Sequence, residues 1–74
     1  MKAIVQRVAH ASVFVEKRLY STINSGACVF LGVSADDNKK NVKKLADKIS
    51  SLRIFPDESN YMNKSIIDIK GDIL

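Results

Sequence analysis

The chain has 74 residues, which limits it to one domain, and a core of this size rarely supplies more than about 3–5 kcal/mol without a disulfide, a metal or a partner. It contains one cysteine and one histidine, which excludes an internal disulfide and argues against a structural zinc site. Its content of 46% hydrophobic and 27% charged residues is typical of folded rather than disordered chains. The net charge of +4 permits binding to nucleic acid without establishing it, and the absence of a signal peptide or a long apolar segment predicts a cytoplasmic protein with no membrane partner.

The first half of the chain predicts strands. Alternating apolar residues indicate strands over residues 2–9 and 11–16 and a weaker one over 19–23. After the turn signal of residues 24–26, the apolar run over 27–33 is typical of a central strand covered on both faces. We expect 2–9, 11–16 and 27–33 to pair in one sheet.

An amphipathic helix is predicted over residues 38–52. At 100° per residue its apolar side chains form one stripe, which we expect to face the sheet: Val42, Leu45, Ala46, Ile49 and Leu52. The opposite side carries Lys39, Lys40, Lys43, Lys44 and Lys48, with Asp47 among them. Asp36 or Asp37 is expected to cap the first turn by accepting a backbone N–H bond.

Beyond the helix, residues 53–55 predict a short strand and 56–60 a loop that begins at the only proline. Residues 65–69 fit either a strand or a loose helical turn, and residues 73–74 look like the start of a further strand. The order of elements predicts an α/β fold, a mixed β-sheet with one amphipathic helix packed on it, in a single domain over residues 1–74.

No set of residues identifies a reaction by itself. Cys28 and His10 could be a nucleophile and its base, but Cys28 lies in the apolar run, where cysteine is usually an inert small side chain, and His10 lies at a strand end. The acidic pairs at 36–37 and 57–58 are expected to be caps or solvated loop charges rather than a metal site.

Two basic features are candidate binding groups. Lys39, Lys40, Lys43 and Lys44 could contact a phosphate backbone, although a solvated helix face is the more common meaning of such a pattern. Arg7 shares a strand face with Ala3 and Val5, so its guanidinium either finds acceptors on the protein or a partner, or extends into solvent at the sheet edge.

An ordered set of segments resembles the D-aminoacyl-tRNA deacylase family, also called D-tyrosyl-tRNA deacylase. The segments are residues 2–8 with Ala11-Ser12-Val13, Gly26 with 29–33, 45–49 with 52–58, 62–65, and 68–74. The resemblance covers essentially the whole chain, which has about half of the usual family length. It departs at Glu16-Lys17-Arg18, where Asp-Gly is common, and at Asn60-Tyr61, where Gly-Lys is usual.

The resemblance implies a mixed-sheet homodimer that hydrolyses the ester between a D-amino acid, or glycine on non-cognate tRNA, and the terminal ribose, as a proofreading step. Its partner is tRNA, and no metal or organic cofactor is implied. The family builds its site from a Ser-Gln-Phe-Thr strand and a cis Gly-Pro loop that enters the partner subunit. Neither motif occurs in the chain, so residues 1–74 are expected to be a truncated deacylase domain with no identifiable catalytic residue.

The resemblance carries over two supporting residues, Arg7 as the anchor of the Gly-Pro loop and Gln6 as a weaker neighbour. Two hypotheses follow: one half of a deacylase that is inactive alone, or a non-catalytic basic module that binds RNA or another chain.

Overall fold

The computed structural model describes residues 1–74 and confirms a mixed α/β fold. Its elements, in chain order, are β1 (Lys2–Val8), β2 (Ala11–Val15), β3 (Arg18–Ile23), β4 (Gly26–Gly32), α1 (Lys39–Ser51), β5 (Phe55–Pro56), β6 (Met62–Lys64) and β7 (Asp72–Ile73). No helix has the length and apolar character that crossing a membrane requires.

The main sheet has the order β1-β4-β7, so the apolar strand β4 is central, as predicted. β4 runs antiparallel to β1, with Ala27 opposite Arg7 and Phe30 opposite Ile4, and parallel to β7, with Gly26 opposite Asp72. Gly26 has a steric role, because a Cβ atom there would collide with the carbonyl group of Asp72. The glycine therefore allows β7 to lie against β4.

The prediction that residues 11–16 join this sheet is wrong. β2 pairs only with β3, in a separate hairpin with a bulge after Val13. The two-residue turn at Glu16 and Lys17, with φ of 50° and 67°, brings β3 back along β2, so β2 pairs within this hairpin and the outer edge of β1 stays unpaired. The hairpin leaves its large apolar side chains more than a third exposed: Val13, Phe14, Val15, Leu19 and Tyr20.

The helix begins one residue later than predicted and is capped by a different side chain. Asn38 is the N-cap; its Oδ1 accepts from the amides of Lys40 and Asn41, and Asn41 completes a capping box by accepting from the Asn38 amide. Asp37 instead accepts from the α-amine of Met1 at 2.7 Å and from the Ser34 amide at 2.8 Å. The amine bond, followed by the Ser34 amide, lowers the pKa of Asp37.

The apolar stripe of α1 faces the sheet, as predicted, but the helix is not packed tightly on the sheet. No residue of the helix is fully buried, and Val42 is 52% exposed. An open apolar cleft of about 250 Å³ remains between helix and sheet, lined by Met1, Val29, Leu31, Val42, Leu45, Ala46, Ile49 and Ile73.

The small core lies at the other end of β4, where Ala27, Phe55 and Ile66 pack with Val5, Ile54 and Ile69. The prediction that residues 27–33 are covered on both faces holds only at the start of the strand, since Phe30, Leu31 and Val33 are more than half exposed. Residues 66–70 form turns rather than a strand, which settles the alternative left open for that segment.

The molecule is flat, with extents of 42 × 34 × 16 Å and a Cα radius of gyration of 13.8 Å, where a compact chain of this length has about 11 Å. Its accessible surface is 6154 Å², against about 4,500 Å² for a compact monomer of 8.2 kDa. Only six residues are buried. The fold thus exposes a large area that a compact domain would cover.

Candidate functional site

Arg7 is the best-connected candidate side chain. It lies near the end of β1, opposite Ala27, with its side chain on the face that carries the small core. Its Nη1 donates to the carbonyl oxygen of Ile54 at 2.9 Å and contacts Met62 Sδ at 2.8 Å. The protein thus supplies acceptors for Nη1 alone, and these contacts join β1 to the segment after the helix and to β6.

The remaining Arg7 donors have no hydrogen-bond partner. A guanidinium has five N–H donors, and only Nη1 has partners, so the donors on Nε and Nη2 are unused. Neither ion pair of the structure involves Arg7, which leaves its positive charge uncompensated by any carboxylate. Arg7 can therefore still bind a carbonyl, carboxylate or phosphate oxygen.

Two open hollows flank Arg7. One, of about 570 Å³, is lined by Arg7 together with Val8, Ala9, Ser25, Phe55, Pro56 and Ile69. The other, of about 550 Å³, is lined by Arg7 together with Val5, Gln6, Arg53, Ile54 and Met62. The structure thus brings the two predicted supporting residues, Arg7 and Gln6, to one hollow, and it adds Arg53, a second cation that the sequence patterns did not single out.

The lysine face lies elsewhere. Lys39, Lys40, Lys43 and Lys44 are all exposed on α1, and Lys43 Nζ makes a solvent-exposed ion pair with Asp47 at 3.2 Å. Lys44 also borders a hollow of about 200 Å³ with Met1 and Lys48. These exposed positions make the lysine side chains accessible to an extended anion.

Arg7 and the first lysines lie at opposite ends of the fold. The Met1–Asp37 contact places the start of β1 beside the start of α1, whereas the Arg7–Ile54 contact places the end of β1 beside the exit from α1. Arg7 lies six residue steps after Met1 along the strand, about 20 Å at about 3.3 Å per residue. The two predicted groups therefore form two separate sites.

Cys28 and His10 do not form a catalytic pair. Cys28 is half-buried in β4 directly opposite Gln6, and His10 is exposed in the connection between β1 and β2. The cysteine is less covered than the apolar run predicts, because the far face of the sheet is open. The chain brings no third His, Cys, Asp or Glu to either residue in a group that could hold a metal ion.

In each acidic pair one aspartate accepts backbone hydrogen bonds and the other carboxylate is a solvated loop charge, in line with the prediction. Asp57 Oδ1 accepts from the amides of Ser59 and Tyr61 at 2.8 and 3.1 Å, which organises the loop in which Asn60 adopts a φ of 65°. Asn tolerates this left-handed conformation better than most residues, so the loop forms without the usual glycine. Asp36 and Glu58 are exposed and make no side-chain hydrogen bond.

One local motif was missed at the sequence level. Asp68 Oδ2 accepts from the Ser65 amide at 2.8 Å, and Ser65 Oγ accepts from the Asp68 amide at 3.2 Å. The backbone bond from Ser65, then the Ser65 side chain, lowers the pKa of Asp68. The Ser-x-x-Asp spacing of a capping box was the available signal, and the motif seats Ile66 in the core.

Comparison with known proteins relates the chain to one family across nearly its whole length. A model described as D-Tyr-tRNA(Tyr) deacylase matches residues 4–74. The D-aminoacyl-tRNA deacylases of Thermosipho africanus and Dictyoglomus turgidum are 50% and 51% identical to it over 74 residues. Each alignment covers 100% of this chain but only 50% and 47% of those relatives.

A solved structure has the same fold over half of its own length. The chain is similar to a protein named c-Myc DNA Unwinding Element Binding Protein, with a TM-score of 0.94 and 44% sequence identity. The match covers 99% of this chain and 50% of that one. The chain therefore spans about half the length of the relatives it matches.

Proposed function

The chain belongs to the D-Tyr-tRNA(Tyr) deacylase family, and from this premise we propose that it provides one half of a domain that hydrolyses D-aminoacyl-tRNA. The observation that carries the proposal is the alignment of all 74 residues, at about 50% identity, with relatives named D-aminoacyl-tRNA deacylase. The proposal places the protein in the cytoplasm, where aminoacyl-tRNA is made and used, and it includes glycyl-tRNA as a second substrate.

In the proposed reaction, a water oxygen bonds to the ester carbonyl carbon and the bond from that carbon to the ribose oxygen breaks. The ribose oxygen takes the proton that the attacking water loses, which releases tRNA and a free D-amino acid. Such a reaction needs donors for the oxyanion, and their removal typically slows catalysis by about 10²–10³ for each donor. No nucleophile and base are paired in residues 1–74, so we assign the catalytic groups to the half of the domain that the relatives have in addition.

Arg7 is proposed as a positioning residue. Its Nη1 is held by Ile54 O and Met62, while its outer donors and charge remain available at the two hollows. A carbonyl-rich loop is a suitable ligand for these donors, and the family resemblance suggests a Gly-Pro loop from a second subunit. Gln6, on the same hollow, is proposed as a secondary contact, and the proposal includes a homodimer, as the family resemblance implies.

The lysine face is proposed as the contact to the tRNA backbone. Lys39, Lys40, Lys43 and Lys44 are exposed, and only Lys43 has an acidic partner. Because the start of α1 lies beside the start of β1, about 20 Å along that strand from Arg7, its first lysines suit a part of the tRNA distant from the scissile ester. Contacts of this kind contribute affinity that depends on salt and not on base sequence.

The second candidate function is a non-catalytic basic module. It is favoured by the absence of a catalytic set in residues 1–74 and by the solved relative, whose name refers to binding a DNA element. Both candidates use the same lysine face for phosphate contacts. They differ in whether a D-amino acid is released.

The deciding experiment fuses these 74 residues in frame to the unmatched second half of the Thermosipho africanus deacylase. We expect the fusion to release labelled D-tyrosine from D-tyrosyl-tRNA and to leave L-tyrosyl-tRNA intact. The authentic Thermosipho africanus protein is the matched control for assay and folding. A folded fusion that binds tRNA without hydrolysing the D-ester favours the binding module instead.

A further inference from the structure

Met62 is an exposed methionine held against the Arg7 guanidinium. It lies at the start of β6, where it pairs with Pro56 of β5, and it is 52% exposed. Arg7 Nη1 donates to its Sδ at 2.8 Å. The side chain of the other methionine, Met1, is only 8% exposed. An oxidant in solution therefore reaches Met62 far more readily than Met1.

The Met62 sulfur keeps a reactive electron pair. A thioether is a weak hydrogen-bond acceptor, and Nη1 occupies one of its two lone pairs. The second pair remains available to attack an electrophilic oxygen. The proposed ester hydrolysis does not use this sulfur, so its reactivity is a separate property of the molecule.

We propose that Met62 is a reversible oxidation site whose state controls the anchoring of Arg7. Its co-reactant is a peroxide and its product is methionine sulfoxide, which a thiol-dependent reductase returns to methionine. The oxidation needs only the contacts described above, whereas its effect on hydrolysis rests on the proposed function.

In the forward step the Met62 sulfur attacks one oxygen of hydrogen peroxide, and the O–O bond breaks as the S–O bond forms. The proton on the transferred oxygen passes to the departing oxygen, which leaves as water. The sulfur loses two electrons and the peroxide gains them. In the reverse step a dithiol supplies two electrons and two protons, so the oxygen leaves as water and the dithiol becomes a disulfide.

Either sulfoxide epimer breaks the contact with Arg7. An oxygen added on the side that faces Nη1 has no room within a distance of 2.8 Å, so Nη1 must move away. An oxygen added on the other side leaves a sulfur with partial positive charge against a guanidinium that no carboxylate neutralises. Both products therefore displace Nη1 from Met62.

Displacement of Nη1 also affects the Ile54 carbonyl group. The same nitrogen donates to that oxygen at 2.9 Å, and a hydrogen bond weakens steeply when its distance and angle depart from their usual range. Ile54 packs against the small core beside Phe55, so this bond ties the end of β1 to the core. Oxidation of one exposed sulfur thus loosens the end of β1 and misplaces the free donors of Arg7.

The test treats the isotope-labelled 74-residue chain with hydrogen peroxide and follows it by NMR and peptide mass spectrometry. We expect one oxygen on Met62 before any on Met1, and an upfield shift of the Ile54 carbonyl carbon as it loses its donor. The Ser34 carbonyl, which accepts from the Asp37 amide at 3.1 Å, is the internal control and should not shift. Methionine sulfoxide reductases with a dithiol should restore the Ile54 signal.

Two variants separate Met62 from the other oxidisable groups. Met62→Leu keeps an apolar side chain of similar volume and should make the Ile54 signal insensitive to peroxide. Cys28→Ala removes the only thiol and should respond to peroxide as the unchanged chain does. In the fusion with the Thermosipho africanus half, peroxide should lower D-tyrosine release by about 10- to 100-fold only where Met62 is present.

The proposal is overturned if peroxide spares Met62, if Met62 sulfoxide leaves the Ile54 carbonyl unshifted, or if the reductases do not reverse the shift. A peroxide-dependent shift in Met62→Leu overturns it too, as does loss of the helix signal in circular dichroism on oxidation, which would show general unfolding. If Met62→Leu does not fold, reversal by the reductases in the unchanged chain decides. A fusion that is inactive before oxidation contradicts the proposed function and leaves the Ile54 signal to decide this inference.

Discussion

The Nη1 atom of Arg7 donates to the carbonyl oxygen of Ile54 across 2.9 Å, a contact between residues 47 positions apart in the chain. It fastens the end of β1 to the segment that leaves α1, directly beside Phe55, which is 5% exposed in the small core. The Arg7 side chain therefore links β1 to this segment through Nη1 and keeps the donors on Nε and Nη2 free. This double role defines the first prediction.

Replacing Arg7 with Ala in the fusion with the Thermosipho africanus half should lower the rate of D-tyrosine release by about 10- to 100-fold, because a loosely held loop misplaces the reacting groups. Arg7→Lys keeps the positive charge but loses the guanidinium donors, so we expect its activity to stay close to that of Arg7→Ala. Arg18→Ala, at the start of β3, is the matched control and should leave the rate unchanged. Equal effects of the Arg7→Ala and Arg18→Ala changes would refute a positioning role.

Replacing Lys39, Lys40, Lys43 and Lys44 with Gln should flatten the salt dependence of tRNA binding. Each phosphate contact in single-stranded RNA contributes about −0.7 to the slope of log affinity against log salt, so four lost contacts reduce the slope by about 3. Binding is measured by fluorescence titration at several salt concentrations.

The control for this experiment changes Lys2, Lys17, Lys64 and Lys70 to Gln, which removes the same charge from outside the helix. We expect its slope to stay close to that of the unchanged chain. If both quadruple variants lose affinity equally, net charge and not the helix face accounts for tRNA binding.

The Gly26→Ala substitution should detach β7 from β4. The added Cβ would collide with the Asp72 carbonyl group, and overpacking of this kind typically costs about 1–3 kcal/mol. The amide of Val29, which bonds to Leu74, should lose its exchange protection. Gly32→Ala is the control, because its Cβ would meet nothing closer than the Lys2 carbonyl oxygen at 3.8 Å, and intact protection in both variants would contradict the steric account.

Acid should unfold the 65–70 turn through Asp68. The folded pKa of Asp68 lies below its ordinary value of 3.8, because the Ser65 amide donates to the charged carboxylate. The stabilisation is therefore complete above that ordinary value and is lost as pH falls through the lower folded pKa. Asp68→Asn should reduce stability at neutral pH and remove this part of the acid sensitivity.

The measurement for Asp68 is urea unfolding followed by circular dichroism between pH 2 and pH 7. Asp36→Asn, at an exposed aspartate with no side-chain hydrogen bond, is the control and should preserve the acid dependence. An acid dependence in Asp68→Asn identical to that of the unchanged chain would show that the Ser65 bonds do not contribute to stability.

The sequence predicted the positions of the helix and strands more accurately than the burial of their side chains. The periodicity of Val42, Leu45 and Ile49 located the helix to within one residue at each end, because that stripe depends only on the local 3.6-residue repeat. The β1–β4–β7 order could not be read from the same pattern, and β2 was wrongly placed in that sheet. Pairing depends on turn geometry and on contacts between strands distant in sequence, and local alternation carries no such information.

For the candidate functional residues, too, the sequence indicated the side chain but not its contacts or its burial. A strand face shared with Ala3 and Val5 was enough to select Arg7, yet its acceptor, the Ile54 carbonyl, is a backbone group that no side-chain pattern reveals. The apolar run around Phe30 and Leu31 indicated a strand covered on both faces, but both residues are exposed. An apolar composition indicates that a strand is suited to a buried position, and in this structure only the start of β4, at Ala27, is buried.

The central claim is that these residues are one half of a deacylase domain, with the catalytic groups in the other half. Its most direct test is the release of labelled D-tyrosine from D-tyrosyl-tRNA by the purified 74-residue chain, assayed alone and with the separate second half of the Thermosipho africanus protein. We predict no release above the uncatalysed rate for the chain alone and D-selective release for the mixture. Turnover by the chain alone that matches the authentic Thermosipho africanus enzyme would contradict the claim, since the catalytic groups would then lie within residues 1–74.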